Sequence, residues 1–286
     1  MSKMLRKGIA LAALGLALLG GRAMAASVPE EPKAPGSGWN FQGPFGKFDP
    51  AQLQRGYKVY REVCSSCHAM DLMYFRNLGQ KGGPFYDPKY KNPNDNPYVK
   101  SLAKDLQVKD IDNDTGDVIQ RPATPADKFP APFPNEPAAR ASNGGALPPD
   151  LSVISKAREG GPSYIYSLVG LGFEPAPAGL TVPAGKYYNP YYAGDVSANW
   201  HGKGPAPKGG FISMPPPLAP NKVTFDDKTP STVQNQARDV AAFLAWAAEP
   251  KQEERKEFGL GAMIYLFIFS VLLYFSYKRV WRNVSH

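Results

Sequence analysis

Cysteine and histidine are scarce in this chain. Its 286 residues hold two cysteines, Cys64 and Cys67, and three histidines, His68, His201 and His286. Two cysteines exclude a disulfide-stapled scaffold and a four-Cys zinc site. No internal repeat is visible, which removes solenoids and propellers. Proline and glycine, by contrast, are plentiful. There are 30 Pro and 28 Gly, about a fifth of the chain, so long loops interrupt the regular structure. Apolar residues reach 43%, enough for a packed domain and too many for wholesale disorder. The formal charge of +8 raises nucleic-acid or acidic-membrane binding as a question that only the location of the charges answers.

The two ends explain much of that charge. Lys3, Arg6 and Lys7 precede an apolar run from Gly8 to Gly20, and Ala23-Met24-Ala25 is a small-x-small site. This is the pattern of a secretory signal peptide over residues 1–25. A membrane anchor is the rival reading, but the run is short for a span. An organelle transit peptide would have more serine and no compact apolar centre. The second apolar run, Gly259 to Tyr277, has 19 residues without a charge. At 1.5 Å per residue it spans roughly 28 Å, close to a hydrocarbon core. Tyr274, Tyr277 and Trp281 stand where interfacial aromatics do, and Lys278, Arg279 and Arg282 follow. A buried core helix is the other reading of this run. Export with a basic tail left inside predicts a periplasmic body, residues 26–250. It also predicts a juxtamembrane linker at 251–258, a transmembrane helix at 259–277 and a cytoplasmic tail at 278–286. That topology places the chain in a bacterial inner membrane.

Within the exported body, residues 26–48 read as an irregular arm. Asp49-Pro50 starts a helix on which Leu53, Tyr57, Tyr60 and Cys64 share a face. Gly56 marks a point where another helix can come close. Residues 80–137 are polar and turn-rich and read as a surface insertion. They hold an acidic cluster, Asp105, Asp110, Asp112, Asp114 and Asp117, then six prolines between Pro122 and Pro137. The acid spacing does not fit an EF-hand calcium loop, so the cluster reads as a solvated loop or a docking surface. Short helices are expected at Asp150–Arg158 and Pro162–Gly170. A last exported helix is expected to start at Pro230 under a Thr229 cap, or two residues later with Ser231 and Gln234 as a capping box. Its apolar face is Val233, Ala237, Val240, Ala241, Leu244 and Ala248, and it stops near Pro250.

Cys64-Ser65-Ser66-Cys67-His68 is a C-x-x-C-H motif, the attachment pattern of c-type haem. The spacing has a chemical reason: two thiols add to the two vinyl groups of one porphyrin, and the adjacent histidine becomes an axial ligand. A redox dithiol would want a βαβ context that is missing here. A zinc site would need a further ligand, with only His201 and carboxylates available. One motif means one haem c. Elimination narrows the second axial ligand. Met70 and Met73 lie too near His68 to reach the opposite haem face, Met1, Met4 and Met24 belong to the signal, and Met263 lies in the apolar run. Met214 remains, with His201 as its rival. Met214 precedes Pro215-Pro216-Pro217, whose fixed φ angles stiffen the loop. His/Met ligation closes the iron and favours outer-sphere electron transfer at a relatively high potential.

Further segments carry a resemblance. Gly56-Tyr57-Lys58-Val59-Tyr60 leads into the motif, and Leu147-Pro148-Pro149-Asp150-Leu151-Ser152 follows it. Later come Tyr187-Tyr188-Asn189-Pro190-Tyr191, Met214-Pro215-Pro216-Pro217-Leu218 and Trp246-Ala247-Ala248-Glu249-Pro250. From about Trp39 to its end the chain resembles the cytochrome c1 family, the haem subunits of quinol–cytochrome c reductase. The resemblance implies a mainly α fold: a class I cytochrome c-like haem domain with long irregular loops and one C-terminal transmembrane helix. It implies covalent haem on Cys64 and Cys67, axial ligation by His68 and Met214, and propionate contacts from Arg158 and Tyr164. Asn143 and Pro149 would form part of the haem-pocket wall. The implied role is that of an electron carrier, with no enzymatic activity on its own, passing single electrons from a Rieske iron–sulfur protein to a soluble c-type cytochrome. Cytochrome b would be the membrane partner, in a dimeric complex. Two other readings stay open, a membrane-anchored cytochrome serving a terminal oxidase and an open-site haem enzyme or sensor.

The charge can now be divided. The signal holds four cations and no acid, and residues 251–286 hold six cations against three acids. The body, 26–250, keeps 23 cations against 22 acids, so the basic balance belongs to export and topology rather than to nucleic acid.

Overall fold

Helix α1 begins where Asp49 and Pro50 place it. The Asp49 carboxylate accepts the Ala51 N–H at 3.0 Å, and α1 runs Pro50–Glu62. In the computed structural model, which describes residues 29–284, its Leu53, Tyr57 and Tyr60 are buried in the main core. The expected signal segment, 1–25, lies outside the described residues. In chain order α2 is Pro97–Lys104, α3 Glu136–Ser142, α4 Pro162–Gly170, α5 Val233–Ala248 and α6 Gln252–Val280. The fold is mainly α.

Helix α5 crosses α1 at Gly56. A Cβ there would run into the Asp239 carbonyl and stand 2.7 Å from Phe243 Cβ, so only glycine permits the approach. Gly170 of α4 does the same against α5, where an added Cβ would stand 2.6 Å from Ala237 Cβ. The three helices enclose a core of Val240, Ala241, Phe243, Leu244 and Trp246 with the α1 face. α5 is capped by Thr232, whose hydroxyl accepts the Asn235 N–H at 3.1 Å. This corrects both expected starts. Ser231 is used elsewhere, donating to the Val223 carbonyl.

Asp150–Arg158 is a run of turns rather than a helix. The Asp150 carboxylate accepts from Asp71 N–H and Ser152 N–H, both at 2.7 Å, and the Leu151 N–H donates to Ala69. Those bonds splice the start of the segment onto the chain beyond His68, and only local turns such as Ala157 N–H to the Val153 carbonyl at 3.0 Å follow. The 80–137 segment is more than a surface insertion. Val99 and Ala103 of α2 and Phe129 lie in the main core. Two short antiparallel sheets complete the body. β1 (Gln107–Ile111) pairs with β2 (Val118–Pro122), with Gln107 opposite Pro122. β3 (Tyr187–Asn189) pairs with β4 (Gly210–Ile212), with Tyr187 opposite Ile212. Around β3 a small second core forms from Leu180, Tyr188 and Val196.

The arm is firmly docked. Trp39 Nε1 donates to Ser163 Oγ at 2.9 Å, and Phe41 stacks on Phe48 at 4.5 Å. Beyond it, α6 and a closing 3-10 turn give a 32-residue helical stretch, Gln252–Asn283, with a mean hydropathy of 2.2 in its most apolar window and no buried residue there. It is long and apolar enough to cross a membrane. Residues 252–258, expected as a linker, are the first turns of this same helix. Lys256 Nζ donates to the Phe41 carbonyl at 2.7 Å and the Gly46 carbonyl at 3.0 Å, and Glu253 accepts the Phe48 N–H at 2.9 Å. The anchoring helix is therefore rooted in the body through the arm.

Candidate functional site

Helix α1 delivers the motif. It ends at Glu62, a 3-10 turn takes Cys64–Ser66, and the His68 N–H donates to the Cys64 carbonyl at 2.9 Å. Cys64, Cys67 and His68 are half-buried, and both thiols are free. Burial pushes the Cys64 thiol up to about 12, against a weak pull from Lys222. An attacking thiol of the thioredoxin kind needs the opposite shift.

His68 is held by one bond. Its Nδ1 lies 2.8 Å from the Pro149 carbonyl, which accepts a hydrogen only from a protonated Nδ1. The free electron pair is then on Nε2, which is the arrangement a metal-bound histidine requires. Burial lowers the imidazole below its ordinary value, partly offset by the Pro149 bond and Asp150. Two thiols, a ring nitrogen oriented for iron and the buried Tyr60 on the preceding helix fit a haem.

The remaining expected residues fall into distinct places. Arg158 is exposed, and its guanidinium bears on the Tyr164 hydroxyl, so these two stand together as one polar pair. Burial raises the Tyr164 hydroxyl, and the Arg158 charge opposes that rise. Asn143 ends α3, its Nδ2 donating to the Ala139 carbonyl at 2.7 Å. Pro149 contributes its carbonyl rather than only its ring. Met214 is half-buried and follows β4 by two residues. Met70 and Met73 are buried in the main core. His201 is exposed, with its N–H on the Gly179 carbonyl at 2.8 Å.

Sequence reasoning missed what holds the Met214 loop. Gln236 on α5 is fully buried. Its Nε2 reaches the Ala219 carbonyl at 2.8 Å, the Ser231 carbonyl at 3.0 Å and Ser231 Oγ at 3.1 Å. Lys222 Nζ adds a bond to the Pro217 carbonyl at 2.8 Å. The only signal was a polar residue one step before Ala237 of the apolar stripe.

The model of the Cytochrome C1 family matches residues 39–284. The chain belongs to the cytochrome C1 family. Membership implies a haem cofactor and an electron-carrier subunit of the bc1 complex that is not an enzyme by itself. The chain is 45% identical over 97% of its length to "Cytochrome b/c1" of Bradyrhizobium diazoefficiens, of which it spans 40%. It is 40% identical to "Cytochrome c1" of Rhodospirillum rubrum, covering 87% of each chain. It is 39% identical to that of Blastochloris viridis, covering 94% of this chain and 95% of the other. These family relatives and the one such apolar helix among the described residues point to a membrane-anchored protein.

Proposed function

We propose that this chain carries one haem c, tethered by thioethers at Cys64 and Cys67 and ligated by His68 and Met214. When bound, the haem supplies a one-electron ferric–ferrous couple. The protein's own residues set its conditions. Pro149 fixes the His68 tautomer, and the three prolines after Met214 limit the freedom of its side chain. With both His68 and Met214 as ligands, the protein would leave no iron position for substrate or oxygen. Arg158 and Tyr164 meet the propionates, and Asn143 and Pro149 stand in the pocket wall.

The observation that carries this reading is the Nδ1 bond of His68 to Pro149, at the end of a C-x-x-C-H helix, in a chain of this family. The electrons come from a Rieske iron–sulfur protein and go to a soluble c-type cytochrome. Cytochrome b is the membrane partner, in a dimeric assembly. Residues 1–25 are removed as a signal. The body, 26–250, faces the periplasm, the helix spans the bacterial inner membrane through 259–277, and residues 278–286 stay in the cytoplasm. The test is extraction in mild detergent through a C-terminal tag. The chain should keep its haem through denaturing electrophoresis and bring down b-type haem with an iron–sulfur protein. A chain that emerges alone, or whose haem washes out, contradicts the proposal.

A further inference from the structure

A cleft of about 400 Å³ lies between the 79–93 segment and the foot of α6. Its size falls within the range of small-ligand sites. Three lysines line it, Lys81, Lys91 and Lys251, together with Tyr86, Tyr90 and Gln80. Gln80 is the informative residue. Its Oε1 accepts from Asn77 Nδ2 at 3.3 Å, while its Nε2 is buried with no hydrogen-bond partner. A buried amide donor left unmet is costly and asks for an acceptor. Two acids stand nearby. Glu254 lines the cleft, and Glu257 lies 3.8 Å from Lys81, sharing its charge with Lys47. Lys91 and Lys251 have no ion-pair partner among the described residues, so cations prevail at the mouth.

The position of the cleft decides the ligand. Glu254 is five residues before Gly259, where the charge-free run begins, about 7.5 Å along a helix. Each headgroup layer of a bilayer is about 5–7 Å deep. Lys251, eight residues before Gly259, stands about 12 Å from the start of that run, just outside the headgroup layer and within about a Debye length of it, where juxtamembrane cations attract anionic lipid. Tyr86 and Tyr90 are suited to the same interfacial layer.

From this combination we infer that the cleft binds the phosphodiester headgroup of an anionic glycerophospholipid, in the leaflet on the side of the folded body. The unmet Gln80 amide donates to a phosphate oxygen, the lysines balance its charge, and Glu254 accepts from a headgroup hydroxyl such as that of glycerol. The site would hold the body against the bilayer at the point where α6 leaves it.

The test uses the intact detergent-purified complex, transferred to phosphatidylcholine nanodiscs with or without phosphatidylglycerol. Hydrogen exchange should slow at least several-fold over 79–93 and 251–258 only with phosphatidylglycerol. The Lys91→Ala/Lys251→Ala pair, and separately Gln80→Leu, should abolish that slowing while the optical spectrum stays unchanged. Equal exchange in the two nanodiscs, or slowing that survives both variants, overturns the inference. Equal slowing by inorganic phosphate in detergent also overturns it, because the site would then be one for a free ion.

Discussion

Cys64, Cys67 and His68 hang from the end of α1, which is clamped between aromatic contacts and α5. Met214 hangs from a three-residue strand, on a loop whose order comes from three prolines and one buried glutamine. The helix side draws its rigidity from close packing: Tyr60 lies 5.9 Å from Phe243 and 6.0 Å from Phe129. The loop side draws it from directed hydrogen bonds. Packing is shared by many neighbours, so losing a piece of it threatens the whole body. Hydrogen bonds at a loop are few, so losing one shifts Met214 while the body stands.

That contrast can be broken from the helix side first. Asp239 on α5 is fully buried, accepting from Arg55 Nε at 2.6 Å and from Gln52 Nε2 at 3.1 Å. Asp239→Ala takes the buried acceptor from the Gln52 amide and leaves Arg55 only the more exposed Asp227, and should cost about 3 kcal/mol. A thermal melt followed by circular dichroism should show the body and the haem spectrum lost together. Gly56→Val forces α1 and α5 apart, with an expected loss of about 2–3 kcal/mol in the same melt.

On the loop side, Gln236→Leu removes a donor that serves three acceptors. It should cost about 1–2 kcal/mol and lower the midpoint potential in a redox titration, with covalent haem retained. If Gln236→Leu destabilised as much as Gly56→Val, the two sides would not be built differently. The smallest effect is expected far from both. Arg121 bridges Asp110 and Asp127 next to the β1–β2 hairpin, and its charge holds both carboxyls below the ordinary carboxylate range. Depressed carboxyls stabilise the folded state above the ordinary value near 4 and cease to do so as pH falls through the depressed values. Amide protection over 107–122, relative to the intrinsic exchange rate at each pH, should therefore fall below about pH 4, ahead of the α1–α5 core.

The same contrast governs what could be read from the sequence. α1 and α4 were legible because Pro at the first helical position and an apolar period are local signals, and Gly56 announced its crossing. The start of α5 shifted because Thr232 offered a cap that left Ser231 free for the Val223 carbonyl. Asp150–Arg158 failed as a helix because Asp150 bonds to Asp71, a partner 79 positions away in the chain. Two acids of the cluster already have cationic partners: Asp105 pairs with Arg61 at 3.3 Å, and Asp110 with Arg121. His68 was legible as a motif, but its Pro149 partner as a hydrogen-bond acceptor was not. Met214 is a candidate from elimination alone, and the Gln236 bonds to the chain after it were hidden, since a buried amide has no sequence period.

The central claim is that a packed helix and a braced loop supply the two ligands of one closed haem iron. A redox titration with carbon monoxide, comparing the native chain with Met214→Leu, tests it most directly. The native reduced protein should ignore carbon monoxide. Met214→Leu should keep its covalent haem, bind carbon monoxide and fall in potential by roughly a few hundred millivolts. Unchanged spectra and potential in Met214→Leu would contradict the account and move the ligand role to His201.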